Sequence, residues 1–339
     1  EFNENFNTIS LNPISSYFSL LNYLTLFLSL IIFKSLFYKR SNISTFYYFL
    51  VFLGAFAASV AIYFYLIGNP DFWIIKNLTK KAATGFFINR TVFSCFLTLC
   101  FFCGIEYLNK IDKYKKDDTN NFFDKIYIRI FLLLITIAII TSFSRLGNFL
   151  FISVIVLYIL QALYINDKKN RFFLITLILI VLFDVLILGF YFGSERLLQR
   201  YLFIAKDLNL STSPSSDLIF NRVDLAKFAF IEFKKFILFG YGGGGFEYLF
   251  KINFNNLSRT YAVNAHSDLI EFIGEFGLIG FTLIFLSLLF SLTSIKFLTF
   301  KNFILCYLLV FILIFDFSLH IPIIQFLFVL LLSIDHERS

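Results

Sequence analysis

Blocks of about 20 apolar residues, each long enough to cross a hydrocarbon core, recur along the chain between short polar stretches. The pattern predicts nine membrane-spanning helices, roughly 17–38, 46–68, 86–108, 126–143, 147–165, 171–192, 268–295, 302–317 and 321–335. One long polar region, 193–266, separates the sixth from the seventh. Inside it, Arg222–Phe239 sets Val223, Ala226, Phe230 and Phe233 at helical spacing with Lys227, Lys234 and Lys235 elsewhere, which predicts an amphipathic helix capped by Asn221 or by an earlier turn at Asp217. Ser211–Ser216 reads as a flexible linker. Gly240–Gly245 permits tight turns and close backbone approach. The expected fold class is all-α, a polytopic transmembrane helix bundle. It divides into N-terminal membrane helices (1–192), a long loop containing short helices (193–266) and C-terminal membrane helices (267–339).

Composition points the same way. Hydrophobic residues make up 59% of the chain and charged ones 15%, against roughly 25% charged in soluble domains. The short alternating segments of a membrane β-barrel are not the pattern here. Cys95, Cys100, Cys103 and Cys306 fall inside apolar runs and read as small hydrophobes. Residue 1 is Glu and the chain holds no Met, so further spans upstream of Glu1 are expected, and the first residues do not follow a signal-peptide pattern.

Charge placement orients the helices. Lys34, Lys39 and Arg40 follow the first span, Lys110, Lys113, Lys115 and Lys116 the third, Lys168, Lys169 and Arg171 the fifth, and Lys296 with Lys301 the seventh. The positive-inside rule puts these connections in the cytoplasm. The segment 193–266 and the turns after the second, fourth and eighth spans then lie outside. Arg90 and Arg145 depart from that bias at the outer mouths of two spans. Outward arginines beside a membrane suit an anionic headgroup such as a lipid diphosphate.

Candidate chemistry gathers on the same side: Asn89 and Arg90, Ser144 and Arg145, Arg222, His266, and Asp316 with His320. The stretch Asn264–Gly280 gives the seventh predicted span a charged, histidine-led opening, with His266 followed by Asp268, Glu271 and Glu275 at near-helical spacing. A neutral histidine suits the removal of a proton from an attacking hydroxyl. Asp268 could orient the imidazole, although a helix start also favours acidic residues for dipole reasons. For Glu271 and Glu275 capping or buried pairing is the plain alternative; Asp316 and His320 read as structural residues at a pocket rim. The three histidines lie far apart in sequence, and no acidic pair of metal-binding type stands in the outer turns, so neither metal nor cofactor is expected.

Five segments resemble the O-antigen ligase/polymerase superfamily, integral membrane glycosyltransferases acting on undecaprenyl-diphosphate-linked glycans. They are T-G-F-F-I-N-R-T-V-F (84–93), T-S-F-S-R-L-G (141–147), F-N-R-V-D-L-A-K-F-A-F through F-G-Y-G-G-G-G-F (220–246), N-A-H-S-D-L-I-E-F-I-G-E-F-G-L-I-G (264–280) and D-F-S-L-H-I-P (316–322). The resemblance implies His266 as the catalytic base, Arg145 and Arg222 as diphosphate-binding groups with Arg90 as a weaker carry-over, and Asp268, Asn89 and Glu275 as supporting residues. Ser267 stands where Asn is usual, and Leu146 intervenes before Gly147.

The resemblance further implies a bacterial inner-membrane protein with a periplasmic active face. Its donor would be an undecaprenyl-diphosphate-linked glycan and its acceptor a lipid A-core or another glycan, with membrane lipids around it and no nucleic acid. The competing class is a non-catalytic transporter or flippase of a lipid-linked anionic glycan. That class predicts charged or broken helices at mid-membrane, in matching positions of two halves.

Overall fold

The computed structural model describes residues 10–70, 82–114, 119–165, 178–179, 222–254, 262–293 and 299–334. They are helical and turn residues throughout, without a strand. The helices are α1 (Pro13–Leu36), α2 (Arg40–Ile67), α3 (Arg90–Tyr114), α4 (Thr119–Thr141), α5 (Arg145–Ile165), α6 (Arg222–Phe233), α7 (Phe246–Asn253), α8 (Asp268–Thr293), α9 (Phe300–Phe315) and α10 (Pro322–Leu332), with a short 3₁₀ turn at Ser318–His320 between the last two. Eight of the nine predicted spans coincide with one of these helices, and the sixth, 171–192, lies almost wholly outside the described residues.

Among the described residues, five helices are long and apolar enough to cross a membrane: Pro13–Leu36, Ser41–Ile67, Arg90–Asn109, Arg145–Tyr164 and Asp268–Ser287. The others fall short for identifiable reasons. Helix α4 carries Asp124, Lys125 and Arg129 in its first half. Helices α9 and α10 have 16 and 11 residues. At about 1.5 Å per residue they reach roughly 24 and 17 Å, less than the ~30 Å hydrocarbon core.

The described residues pack as two compact units. One contains α2 to α5, with α3 in contact with each of the other three helices and buried over most of Thr91–Leu108. Small residues let these backbones approach, as in other membrane bundles. A Cβ on Gly104 would meet Leu132 Cδ2 at 2.6 Å, and one on Gly54 would meet Cys100 Cβ at the same distance. Gly147, near the start of α5, lies against Ser94, near the start of α3, so these two helices begin side by side. The turn before α3 is tied down by Ala83 N–H donating to Thr141 O at the end of α4 (3.0 Å).

The outward faces of this unit are apolar. Phe49, Phe52 and Phe56 on α2, and Phe149, Ile152, Val156 and Leu160 on α5, stand exposed at three- and four-residue spacing. Such stripes are what lipid would cover.

The other unit contains most of α1 together with α6 to α10. Its loop core is Ala229, Tyr241, Phe246, Leu249 and Ala265, joined by Leu11, Phe228, Phe236 and Ile270. Helix α6 ends at Phe233, earlier than the predicted Phe239, and buries Leu225, Ala229 and Glu232. The face expected from Val223, Ala226, Phe230 and Phe233 is not the buried one, for Phe230 is exposed. With apolar side chains on most of its circumference, α6 offers several helical stripes, and its neighbours choose among them.

Candidate functional site

Helix α8 is broken. Gly277 has φ 65° and ψ −175°, a conformation essentially confined to glycine. A break strands backbone groups that the helix no longer satisfies, and the loop segment running into the glycine turn takes them up. Leu278 and Ile279 N–H donate to Ile237 O (2.8 Å) and Leu238 O (3.2 Å). In return Tyr241 and Gly242 N–H donate to Gly274 O and Glu275 O, both at 3.0 Å. Gly240 (φ 74°), Gly242 (φ 97°) and Gly244 (φ 66°) supply the left-handed backbone that this docking requires.

The first half of α8 carries Asp268, Glu271 and Glu275, each at most 2% exposed. Their side chains hold the surrounding loops by backbone donors. Asp268 Oδ2 accepts from Leu319 N–H (2.7 Å), Glu271 Oε2 from Ala265 N–H (2.8 Å) and Glu275 Oε1 from Gly244 N–H (2.7 Å). The remaining carboxylate oxygens converge on His320. Its Nδ1 is bonded to Asp268 Oδ1, and its Nε2 lies 3.4 Å from Glu271 Oε1 and 3.9 Å from Glu275 Oε2. The ring stacks on Phe272, centroids 4.8 Å apart.

Burial pulls the His320 imidazolium down, but the surrounding Asp268, Glu275 and Glu271 carboxylates outweigh it and push its pKa well above the usual histidine value. Burial first, and then Glu275 and Glu271, push the Tyr241 phenol up. The spot between His320 and the two glutamates therefore favours positive charge.

His266 stands just before α8, half-buried, with φ 58°. A left-handed non-glycine residue persists only where its surroundings hold it, and here both flanks are held. Glu271 fixes the N–H of Ala265, and Asp268 N–H donates to Asp316 O at 2.9 Å. Phe317 meets the imidazole edge-on, ring centroids 5.0 Å apart.

The other sequence-predicted residues fall as follows. Asp268 and Glu275 join the cluster beside the His266 loop. Arg222 is the first residue of α6 in the same unit. Arg90 and Arg145 open α3 and α5 in the other unit, at neighbouring helix starts. Asn89 Oδ1 accepts from Thr91 N–H at 2.7 Å, an N-cap of α3. All three arginines thus stand at helix N-termini, where an anion is favoured and a bare cation is not.

Sequence reasoning assigned His320 to a rim and saw no set of acidic and histidine ligands, whereas the structure brings Glu271, Glu275 and His320 together. The spacing 268, 271, 275 had marked one helix face. Nothing in the sequence aimed position 320 at that face.

These features describe a multi-pass helical membrane protein whose histidine- and carboxylate-bearing helix is broken and clamped by a glycine-rich loop. A family model described as O-Antigen ligase matches residues 130–285, from α4 through the break in α8. The match takes in Arg145, Arg222 and His266 and bears out the resemblance to the O-antigen ligase/polymerase superfamily. Neither a comparison with curated proteins nor one with solved structures gives a match.

Proposed function

We propose that this protein is a glycosyltransferase that moves a glycan from undecaprenyl diphosphate to an acceptor hydroxyl at the periplasmic face of the inner membrane. It is of O-antigen ligase type, or a closely related polysaccharide polymerase. His266 is the general base and no metal takes part in the transfer. The observation that carries this reading is the held, left-handed His266 at the mouth of α8, within the O-antigen ligase match.

In the reaction, the His266 imidazole takes the proton of the acceptor hydroxyl as its oxygen attacks the anomeric carbon. The bond from that carbon to the diphosphate oxygen breaks, and undecaprenyl diphosphate leaves with the electron pair. The family resemblance assigns the departing charge to Arg145 and Arg222, with Arg90 in a lesser part, whose forked, permanently cationic guanidinium groups suit a diphosphate. Asp268 and Glu275 support the loop, and Asn89 caps the helix that presents Arg90.

One observation favours the transporter reading. Helix α8 is broken and carries buried carboxylates, as substrate-binding helices of transporters do. Yet no other described helix is broken. The groups freed at this break are also bonded to the glycine turn instead of being left to coordinate a substrate.

Deletion in the native bacterium followed by glycan analysis tests the proposal. Loss of all long chains from lipid A-core marks a ligase, and single repeats on the core mark a polymerase. Unchanged surface glycans would overturn the reading.

A further inference from the structure

The space between His320 Nε2, Glu271 Oε1 and Glu275 Oε2 is built like a ligand set. Each glutamate has committed one oxygen to a backbone N–H, on Ala265 and Gly244, and turns the other inward. The three inward atoms, one from each residue, lie within 4.8 Å of one another. Two ligands held about 2.1 Å from an ion at a tetrahedral angle stand roughly 3.4 Å apart, and the His320–Glu271 separation is 3.4 Å. Glu275, at 3.9 Å, needs only a small rotation to complete the set.

Two independent observations point to a bound cation there. The first is the other side of the imidazole. His320 Nδ1 is bonded to Asp268 while Nε2 is buried without a hydrogen-bond partner among the described residues. A carboxylate on one ring nitrogen is how metal-ligating histidines are oriented and made more basic. The second is Tyr241, fully buried with a hydroxyl that has no hydrogen-bond partner among the described residues. That hydroxyl lies over Gly274, on the helix between Glu271 and Glu275, where a Cβ would meet it at 2.6 Å.

Three buried carboxylates, Asp268, Glu271 and Glu275, surround the His320 ring, and buried acidic groups of this kind are found offset by cations or by hydrogen bonds.

We propose that Glu271, Glu275 and His320 form a structural site for a first-row divalent cation of the Zn²⁺ or Mn²⁺ type, with Asp268 orienting the histidine and Tyr241 facing a metal-bound water. A nitrogen donor beside two carboxylates suits these ions better than Mg²⁺ or Ca²⁺, which favour all-oxygen shells. The ion fastens the Ser318–His320 turn to α8 and so steadies the loop that carries His266. It touches no reacting atom, and the site goes beyond the glycan-transfer reading.

The test uses the full chain purified in detergent, stripped with EDTA, equilibrated with Zn²⁺, Mn²⁺, Mg²⁺ or Ca²⁺ in turn, and analysed by elemental mass spectrometry. About one Zn²⁺ or Mn²⁺ per chain is expected, and Glu275→Gln, which keeps an acceptor for Gly244, should lose it. EDTA should lower the thermal midpoint of the wild type by roughly 2–4 °C or more and leave that of Glu275→Gln unchanged. The wild-type measurements stand alone if the variant aggregates. Wild type that retains neither ion and ignores EDTA, equal retention by Glu275→Gln, or preference for Mg²⁺ or Ca²⁺ would each overturn the proposal. Protein that binds neither ion yet still transfers glycan would sink the ion site alone and leave the enzyme reading standing.

Discussion

Replacing Gly277 by alanine tests whether the break in α8 is clamped by the loop. At φ 65° and ψ −175° an alanine is strained wherever it points, which costs on the order of 1–3 kcal/mol. Its Cβ would also run into the backbone of the docked turn, meeting Leu238 O and standing 2.5 Å from Gly240 N. Neither neighbour is the end of a flexible side chain, so the turn must withdraw. The bonds at stake are Leu278 to Ile237, Ile279 to Leu238, Tyr241 to Gly274 and Gly242 to Glu275. At about 0.5–1.5 kcal/mol each, losing even two adds ~1–3 kcal/mol, so the variant should be destabilised by roughly 2–6 kcal/mol in all. Gly68, at φ 92° with nothing within 4 Å of an added Cβ, is the control that reports strain alone. Thermal unfolding of both alanine variants in detergent, followed by size-exclusion fluorescence, should place Gly277→Ala well below Gly68→Ala. Equal midpoints would refute the clamp.

Other expectations follow from the same contacts. Glu271→Gln can still accept from Ala265 N–H through its amide oxygen, whereas Glu271→Ala cannot. Glycan transfer should therefore fall more in Glu271→Ala than in Glu271→Gln, while both variants remain folded by size exclusion. Arg222→Lys should lower transfer at least tenfold if a forked contact to diphosphate is used, and wild-type rates would reduce Arg222 to a solvated charge. A single displacement inverts the anomeric centre, so NMR of the product should show the linkage opposite to that of the donor. Retention would point to a covalent intermediate and a different nucleophile.

Much of the membrane architecture was legible because lipid imposes length and apolarity on each span. Helices α1, α2, α3 and α5 begin and end within several residues of their predicted limits. What one chain could not show was depth. Helices α9 and α10 are shorter than the other predicted spans, and burial in protein selects the same Leu, Ile and Phe that lipid does, so their apolarity alone does not tell the two settings apart. The break at Gly277 was equally hidden, since Glu-Phe-Gly-Leu continues an apolar helical pattern and only the docked turn shows why a glycine is needed. For the site, residue type and helical spacing drew attention to His266, Asp268 and Glu275. His320 was set aside because its role comes from a tertiary contact across 52 positions to Asp268.

The central claim is that His266 acts as the base in transfer from a lipid-linked donor. Purified wild type and His266→Ala, both shown folded by size exclusion, should be compared on undecaprenyl-diphosphate-linked glycan with acceptor present. General-base assistance is worth about 10²–10⁴-fold, and the variant should lose activity by that factor. Transfer by His266→Ala at the wild-type rate would contradict the claim.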